Sequence, residues 1–375
     1  MKFKVKTEDL LSKLTKIGGV ASTKTTLPIT ESILFEIENG ILALHVNNCS
    51  VYARTILPVV SEDTFAFCIE HRVLDSTLRL LKDPEIEFEL TEGTVTIRSG
   101  RRKLYSIGSF DPKDFPKMET VITRPPIQIV VPTIEFIKAL HNANHFPDPK
   151  DIRPQFSGAC LRLGGETLNV IGIGSSGSLM TIQYCTYLAQ TDWQDASIPK
   201  SSAKLMTEMM FGVTTWIGRF DDNKLHIKSG EIDMVVTLLE VKFPSISQFI
   251  ERPVSSSCVI DKNEIISSLK RVIGYSDKTL NACQLTFADS EITLTSEYIE
   301  VNKKASESID VINSGVSLTT GFNAAQLLDM VLQVDSEKLI FYLSSFKELC
   351  IIRPEDQVND KSIYFIMPLM VNGNK

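Results

Sequence analysis

Apolar residues in this chain fall into a short pattern that is written three times. From Val5 to Leu14 an alternating run passes into Leu10, Leu11 and Leu14, positions i, i+1 and i+4, which share one stripe of a helix. Val131 to Leu140 repeats the pattern with Phe136, Ile137 and Leu140, and Ile260 to Leu269 repeats it with Ile265, Ile266 and Leu269. The closing leucines are 126 and 129 residues apart, a domain-sized period. Thr7 and Thr133 stand at matching places in the first two copies, each a candidate N-cap whose hydroxyl takes a free backbone N–H.

The repeat runs well beyond these helices. Ile33 to Leu44 alternates around Asn39-Gly40, a strong hairpin signal. Hairpins at the same phase turn at Gly164-Gly165 within Leu161 to Val170 and at Asp289-Ser290 within Gln284 to Leu294. A second helix follows in each copy, carried by Val73, Leu74 and Leu78, by Met206 and Met210, and by Leu327, Leu328 and Leu332. Ile97-Arg98-Ser99-Gly100 returns as Ile227-Lys228-Ser229-Gly230 after 130 residues, and Ile352-Arg353 takes the same place 125 further on. Phe115-Pro116, Phe243-Pro244 and Met367-Pro368 close the copies, where a residue unable to donate to a ladder marks a strand leaving its sheet. The chain therefore reads as α+β, with three copies of one domain, each two helices on antiparallel sheets: 1–124, 125–251 and 252–375. A solenoid has periods of about 20–50 residues; three domains of this size suggest instead an arc that symmetry completes into a ring.

Composition supports a chain with real cores, 43% apolar and 23% charged over 375 residues. Met1 to Lys6 alternates apolar and basic residues without a continuous apolar region, so no signal peptide is expected, and with no membrane-spanning stretch the expected location is cytoplasmic. Seven scattered cysteines with no Cys-x-x-Cys pair read as core residues. The net charge of −7 speaks against a nucleic-acid partner, but its distribution alters that reading. The windows expected to be helical (8–17, 70–82, 133–143, 199–210, 263–272, 323–333) hold ten Lys/Arg and eight Asp/Glu, which leaves them at +2 and the remainder at −9. Basic helices on an otherwise acidic molecule can hold DNA against one surface and repel it from others.

Gly172-Ile173-Gly174-Ser175-Ser176-Gly177 matches a dinucleotide-binding fingerprint and would point to a nucleotide-dependent enzyme if a helix followed. Ser178 to Tyr187 is β-branched and aromatic, and predicts a strand, which makes the glycines a hairpin loop. His141 and His145 have metal-ligand spacing, without a third ligand or a glutamate base, and His45, His71 and His226 are isolated. No nucleophile with a base, carboxylate cluster or Walker-type loop is evident, so no catalysis, metal or cofactor is expected.

Met1-Lys2-Phe3, Thr26-Leu27-Pro28-Ile29, Ser99-Gly100-Arg101, Asp114-Phe115-Pro116, Gly158, Gly321-Phe322-Asn323 with Leu328-Asp329, and Met367-Pro368-Leu369 span the chain. In that order and spacing they resemble the bacterial DNA polymerase III beta subunit, the replicative sliding-clamp family. The resemblance implies a head-to-tail homodimer whose six domains close a ring, with helices lining the hole and sheets forming the outer wall. Duplex DNA would thread the hole without sequence readout. Such a protein is a non-catalytic processivity factor that tethers the polymerase III alpha subunit, a clamp loader and other partners carrying clamp-binding peptides.

By residue match the family's DNA contacts fall on Lys24, Lys150, Arg153 and Lys200. Its peptide groove falls on Phe156, Leu179, Pro244, Phe249, Ile366, Met367, Pro368, Leu369 and Met370. A dimer interface is expected from an edge strand at Leu104 and Tyr105 and from a facing patch at Ile273 and Tyr275. The chain departs from the family where a loop usually reading Thr-Asp-x-His-Arg-Leu is here Gly174 to Leu179, keeping only the leucine. It also lacks the basic residue expected after Phe243-Pro244 and runs on through Val371 to Lys375. A divergent paralogue that no longer serves the main polymerase therefore stands beside the replicative reading.

Overall fold

Each of the three apolar stripes becomes the buried face of an eleven-residue helix in the computed structural model, which describes all residues except 22–26, 119–126, 165–166, 175–178, 187, 190–194, 222, 247–248, 250–255, 357–360 and 371–375. We number the helices α1 (Thr7–Ile17), α2 (His71–Leu78), α3 (Thr133–Ala143), α4 (Lys200–Met210), α5 (Lys262–Val272) and α6 (Ala324–Gln333). In α1, α3 and α5 the outer pair of each stripe is fully buried: Leu10 and Leu14, Phe136 and Leu140, Ile265 and Leu269. The middle residues Leu11, Ile137 and Ile266 are half-buried, as a turn of about 100° per residue requires. The second helices deviate more. α2 stops at Leu78, short of the expected 82, and Val73 and Leu332 are exposed while Leu74, Leu78, Leu327, Met330 and Val331 carry the burial.

The threonine caps are not formed. Thr7 is the first helical residue rather than the cap, and its hydroxyl donates to the carbonyl of Asp83 at 2.6 Å. The Thr133 hydroxyl is buried without a hydrogen-bond partner. In the third copy Asp261 caps α5, accepting from the backbone N–H of Asn263 (2.9 Å) and Glu264 (3.0 Å), and Asn323 caps α6 through the N–H of Gln326 (2.9 Å).

Among the described residues all strand pairings are antiparallel, in sheets of four, nine and twelve strands. The hairpin at Asn39-Gly40 turns with both residues in the left-handed region, φ 51° and 75°. Gly100 and Gly230, 130 residues apart, share φ 61° and 59°, each after a fully buried serine, Ser99 and Ser229. The third-copy hairpin closes across Asp289-Ser290 through the N–H of Ala288 to Glu291 O at 2.9 Å. In the second copy Gly164 pairs with Thr167, so its turn falls on 165–166, outside the described residues.

Two pairings stitch consecutive copies together. Val51–Pro58 pairs with Ile232–Thr237, and Leu179–Thr186 pairs with Ile363–Ile366. Because these ladders cross the repeat boundaries, packing gathers the chain into two units: Met1–Ile137 with Tyr187–Trp193 and Ser201–Glu240, and Lys138–Thr186 with Gln194–Lys200 and Val241–Lys375. The first holds a ring-stacked core in which Phe3 lies 4.8 Å from Phe88 and Phe35 4.8 Å from Phe67. The second holds the core under α5 and α6. No helix of the described residues is long and apolar enough to cross a membrane. Cys68, Cys160, Cys258, Cys283 and Cys350 are buried free thiols, and Cys49 is exposed.

Candidate nucleic-acid interface and partner groove

After α3 the chain makes a tight loop to Phe156, and three of the four candidate DNA-contacting residues lie on or against it. Lys150 is exposed on the loop, and its ammonium makes no ion pair among the described residues. Arg153 is also exposed, but its charge is already engaged. Its Nε and Nη2 meet the Asp151 carboxylate at 3.0 and 2.9 Å, and its guanidinium lies 4.2 Å from the Phe156 ring centroid. Lys200, the first residue of α4, turns its Nζ inward onto the carbonyl oxygens of His145 (2.9 Å) and Pro147 (2.7 Å). Burial pulls the Lys200 ammonium below the usual lysine range, against the opposing pull of Asp148 and Asp329. Lys24 lies outside the described residues.

Several helix cations are locally neutralised. Lys13, Arg79, Lys138, Lys204 and Arg271 pair with Glu231, Asp75, Asp335, Glu208 and Glu307. Lys16, Arg72 and Lys270 are exposed and make no ion pair among the described residues. His145 Nε2 sits 2.8 Å from both carboxylate oxygens of Asp329, while His141 is exposed, so the pair does not converge on one point. Among the described residues no group of three or more His, Cys, Asp or Glu is disposed to hold a metal.

The first glycine of the fingerprint has a packing explanation. A Cβ at Gly172 would lie 1.7 Å from the carbonyl oxygen of Ala143, so the close approach of α3 to this strand demands glycine. Downstream the chain enters the strand Leu179–Thr186, which pairs with Thr167–Ile173, so a strand stands where the fingerprint requires a helix.

The groove candidates gather only in part. Phe156 and Phe249, both half-buried, pack on a cluster that contains Ile173, Phe243, Ile246, Ile351, Ile363 and Phe365. Phe249 meets Phe365 edge to face at 6.5 Å. Arg162 braces one side, clamping Asp195 with contacts of 2.7 and 2.5 Å, donating to Pro244 O at 3.3 Å and lying 5.6 Å from the Phe243 ring. Leu179 is held opposite Ile366 by the ladder, and its side chain lies outside the described residues. Ile366 itself is buried in the neighbouring core under α5 and α6, because alternation along Ile363–Ile366 sends Ile363 and Phe365 to the groove and Tyr364 and Ile366 away from it. Met367 and Met370 are exposed, Pro368 and Leu369 half-buried, and Leu369 N–H bonds Gly321 O at 2.7 Å. Phe243, Ile246 and Phe365 were not expected; four consecutive apolar residues at 363–366 hide the alternation that would have revealed Phe365.

The expected interface residues are placed as follows. The strand Lys103–Gly108 ends the four-stranded sheet, paired on one side only among the described residues, with Leu104 and Tyr105 exposed. Tyr275 is exposed and Ile273 is half-buried against the core of α5.

Two family models match the chain. The model described as DNA polymerase III beta subunit, N-terminal domain, takes residues 1–119, and that of the C-terminal domain takes residues 250–370. The chain is 22% identical to the beta sliding clamp of Pseudomonas aeruginosa, covering 98% of this chain and 100% of that protein. It is also 22% identical to the beta sliding clamp of Chlamydia muridarum over 100% of both. Among solved structures, a DnaN sliding clamp from Pseudomonas aeruginosa bound to griselimycin superimposes with a TM-score of 0.91 at 19% identity, covering 99% of this chain and 100% of the other. A DNA polymerase III beta subunit from Thermotoga maritima gives 0.86 at 18% identity, covering 99% of each.

Proposed function

The chain belongs to the DNA polymerase III beta subunit family, and from that premise we propose that it is a DNA sliding clamp, a processivity factor that encircles duplex DNA and tethers a polymerase and other replication or repair proteins. The observation that carries the reading is likeness over the whole length of the chain: one strand–helix unit recurs three times, and 99% of the chain superimposes on a sliding clamp. The protein works by binding rather than catalysis. Its domains are 1–124, 125–251 and 252–375, and two chains join head to tail through the strand carrying Leu104 and Tyr105 and the patch at Ile273 and Tyr275. Such a contact is heterologous in its patches and closes by a twofold axis.

Lys150 faces the DNA as a phosphate contact without base readout, with Lys24 as a second candidate. Phe156, Phe249 and the surrounding cluster take short extended peptides by burying a few apolar anchors. Exposed Met367 and Met370 can repack around anchors of different shape, which compensates for the missing histidine and arginine of the Gly174 to Leu179 loop.

Light scattering should give twice 41.8 kDa. After loading, the protein should remain on nicked circular duplex and run off linear duplex. A strict monomer at micromolar concentration, or equal retention on both DNAs, would overturn the reading.

A further inference from the structure

We propose that Lys200 is a positioning residue that clasps the 144–157 loop at its neck, rather than a contact to DNA phosphate. The inference rests on the clamp reading, because it is this loop that carries both DNA-facing Lys150 and groove-forming Phe156.

Lys200 touches both ends of the loop. Its Nζ donates to His145 O (2.9 Å) and Pro147 O (2.7 Å), and its own carbonyl accepts from the Asn144 side chain at 3.0 Å. On the returning side its backbone N–H donates to Ser157 O at 3.2 Å. Between these anchors the loop closes on itself through Asp148 N–H to Phe156 O at 2.8 Å. Two of the three ammonium hydrogens are thus engaged by carbonyls that accept from no other donor among the described residues. Swinging the ammonium out to a phosphate would leave both carbonyls unsatisfied at a partly buried position. The loop would also lose the contact that holds its ends together and places Phe156, whereas Lys150, long and exposed, keeps its reach to a phosphate when the loop loosens. Lys150 faces no such conflict, since its ammonium is exposed and unpaired among the described residues.

The test compares full-length Lys200→Met, Lys200→Gln and Lys150→Glu with wild type. Hydrogen–deuterium exchange across 145–157 reads the clasp directly. The salt dependence of retention on nicked circular DNA reads phosphate contacts, and fluorescence anisotropy with a labelled clamp-binding peptide reads the groove. Lys200→Met should raise exchange of the loop at least tenfold and weaken the peptide severalfold, with the salt slope unchanged. Lys200→Gln keeps one neutral donor and should fall between it and wild type in exchange. Lys150→Glu should lower the slope by about one unit with exchange unaltered. A slope lowered by Lys200→Met as much as by Lys150→Glu, or loop exchange at the wild-type rate in both Lys200 variants, overturns the proposal. If wild type itself is not retained on circular DNA, the clamp reading fails instead, and the exchange comparison still decides whether Lys200 is the clasp.

Discussion

Two junctions between copies are built by the same device, an edge-to-edge strand pairing, and are covered by different chemistry. Beside the ladder of Val51–Pro58 and Ile232–Thr237, the buried cluster is small: Leu34, Tyr52, Cys68, Phe115 and Val235. Next to it a cavity of about 530 Å³ is lined by Arg54, Arg219, Lys228 and Asp233 as well as apolar groups. Beside the ladder of Leu179–Thr186 and Ile363–Ile366, the cover is aromatic, with Phe156, Phe243, Phe249 and Phe365 on a wider aliphatic floor. An extended peptide that offers apolar anchors gains burial at the second junction and meets solvated charges at the first. Repetition supplied two equivalent places, and side-chain choice gave only the second the apolar cover that the proposed docking site needs.

The largest effect should come from removing the ring that serves both core and groove. Phe365→Ala empties a fully buried position and should cost about 3–5 kcal/mol in urea unfolding, with peptide binding lost as well. Phe249→Ala separates the two roles. This residue is half-buried, so thermal stability should shift little while peptide affinity drops about tenfold or more. Tyr52→Ala, at the other junction, should leave peptide affinity unchanged; a matching loss there would erase the distinction between the junctions.

The scaffold was far more legible in the sequence than these covers. Leu10 and Leu14, Phe136 and Leu140, Ile265 and Leu269 announced themselves because a helix must return an apolar residue to one face, and the repeat displayed the same rule three times. The groove has no such period. Phe156, Phe249 and Phe365 come from stretches about a hundred residues apart, and it takes the ladder between copies and the packing on it to bring them together. The candidate DNA contacts were harder for another reason: sequence marks a lysine as charged but does not say whether that charge is already engaged within the fold. Lys150, Arg153 and Lys200 look equivalent in the chain, yet only Lys150 is exposed without a partner for its charge among the described residues. Exchanging it for glutamate should therefore weaken DNA retention modestly at any base sequence, with the slope falling by about one unit per phosphate contact.

The smallest expected difference tests the two junctions from within, through a buried thiol in each. Cys68 belongs to the first cluster and Cys160 to the second, and both are fully shielded. Burial pushes the Cys68 thiol up to about 12 and raises that of Cys160 as well, so neither supplies thiolate for alkylation near pH 8 in the native protein. Cys49, exposed in a turn, should react at once and serve as the internal reference. The two buried thiols differ in how firmly the backbone holds them. Cys68 lies in Phe65–Glu70, the last strand of the nine-stranded sheet, paired along its length with Ser32–Glu38 and held on its other side by a single bridge, the Phe110 N–H donating to Cys68 O at 3.0 Å. Cys160 lies in Gly158–Gly164, paired on both sides by Ala196–Pro199 and Thr167–Ile173. An edge strand over a small cluster beside a charged cavity should open locally before an interior strand under an aromatic cover. Pulsed iodoacetamide labelling in sub-denaturing urea, read by mass spectrometry, should modify Cys68 at a lower urea concentration than Cys160. Saturating peptide should raise the concentration needed for Cys160 and leave Cys68 unmoved. Simultaneous labelling of both, unaltered by peptide, would mean that the two junctions open as one cooperative unit and that the aromatic cover adds no local stability of its own.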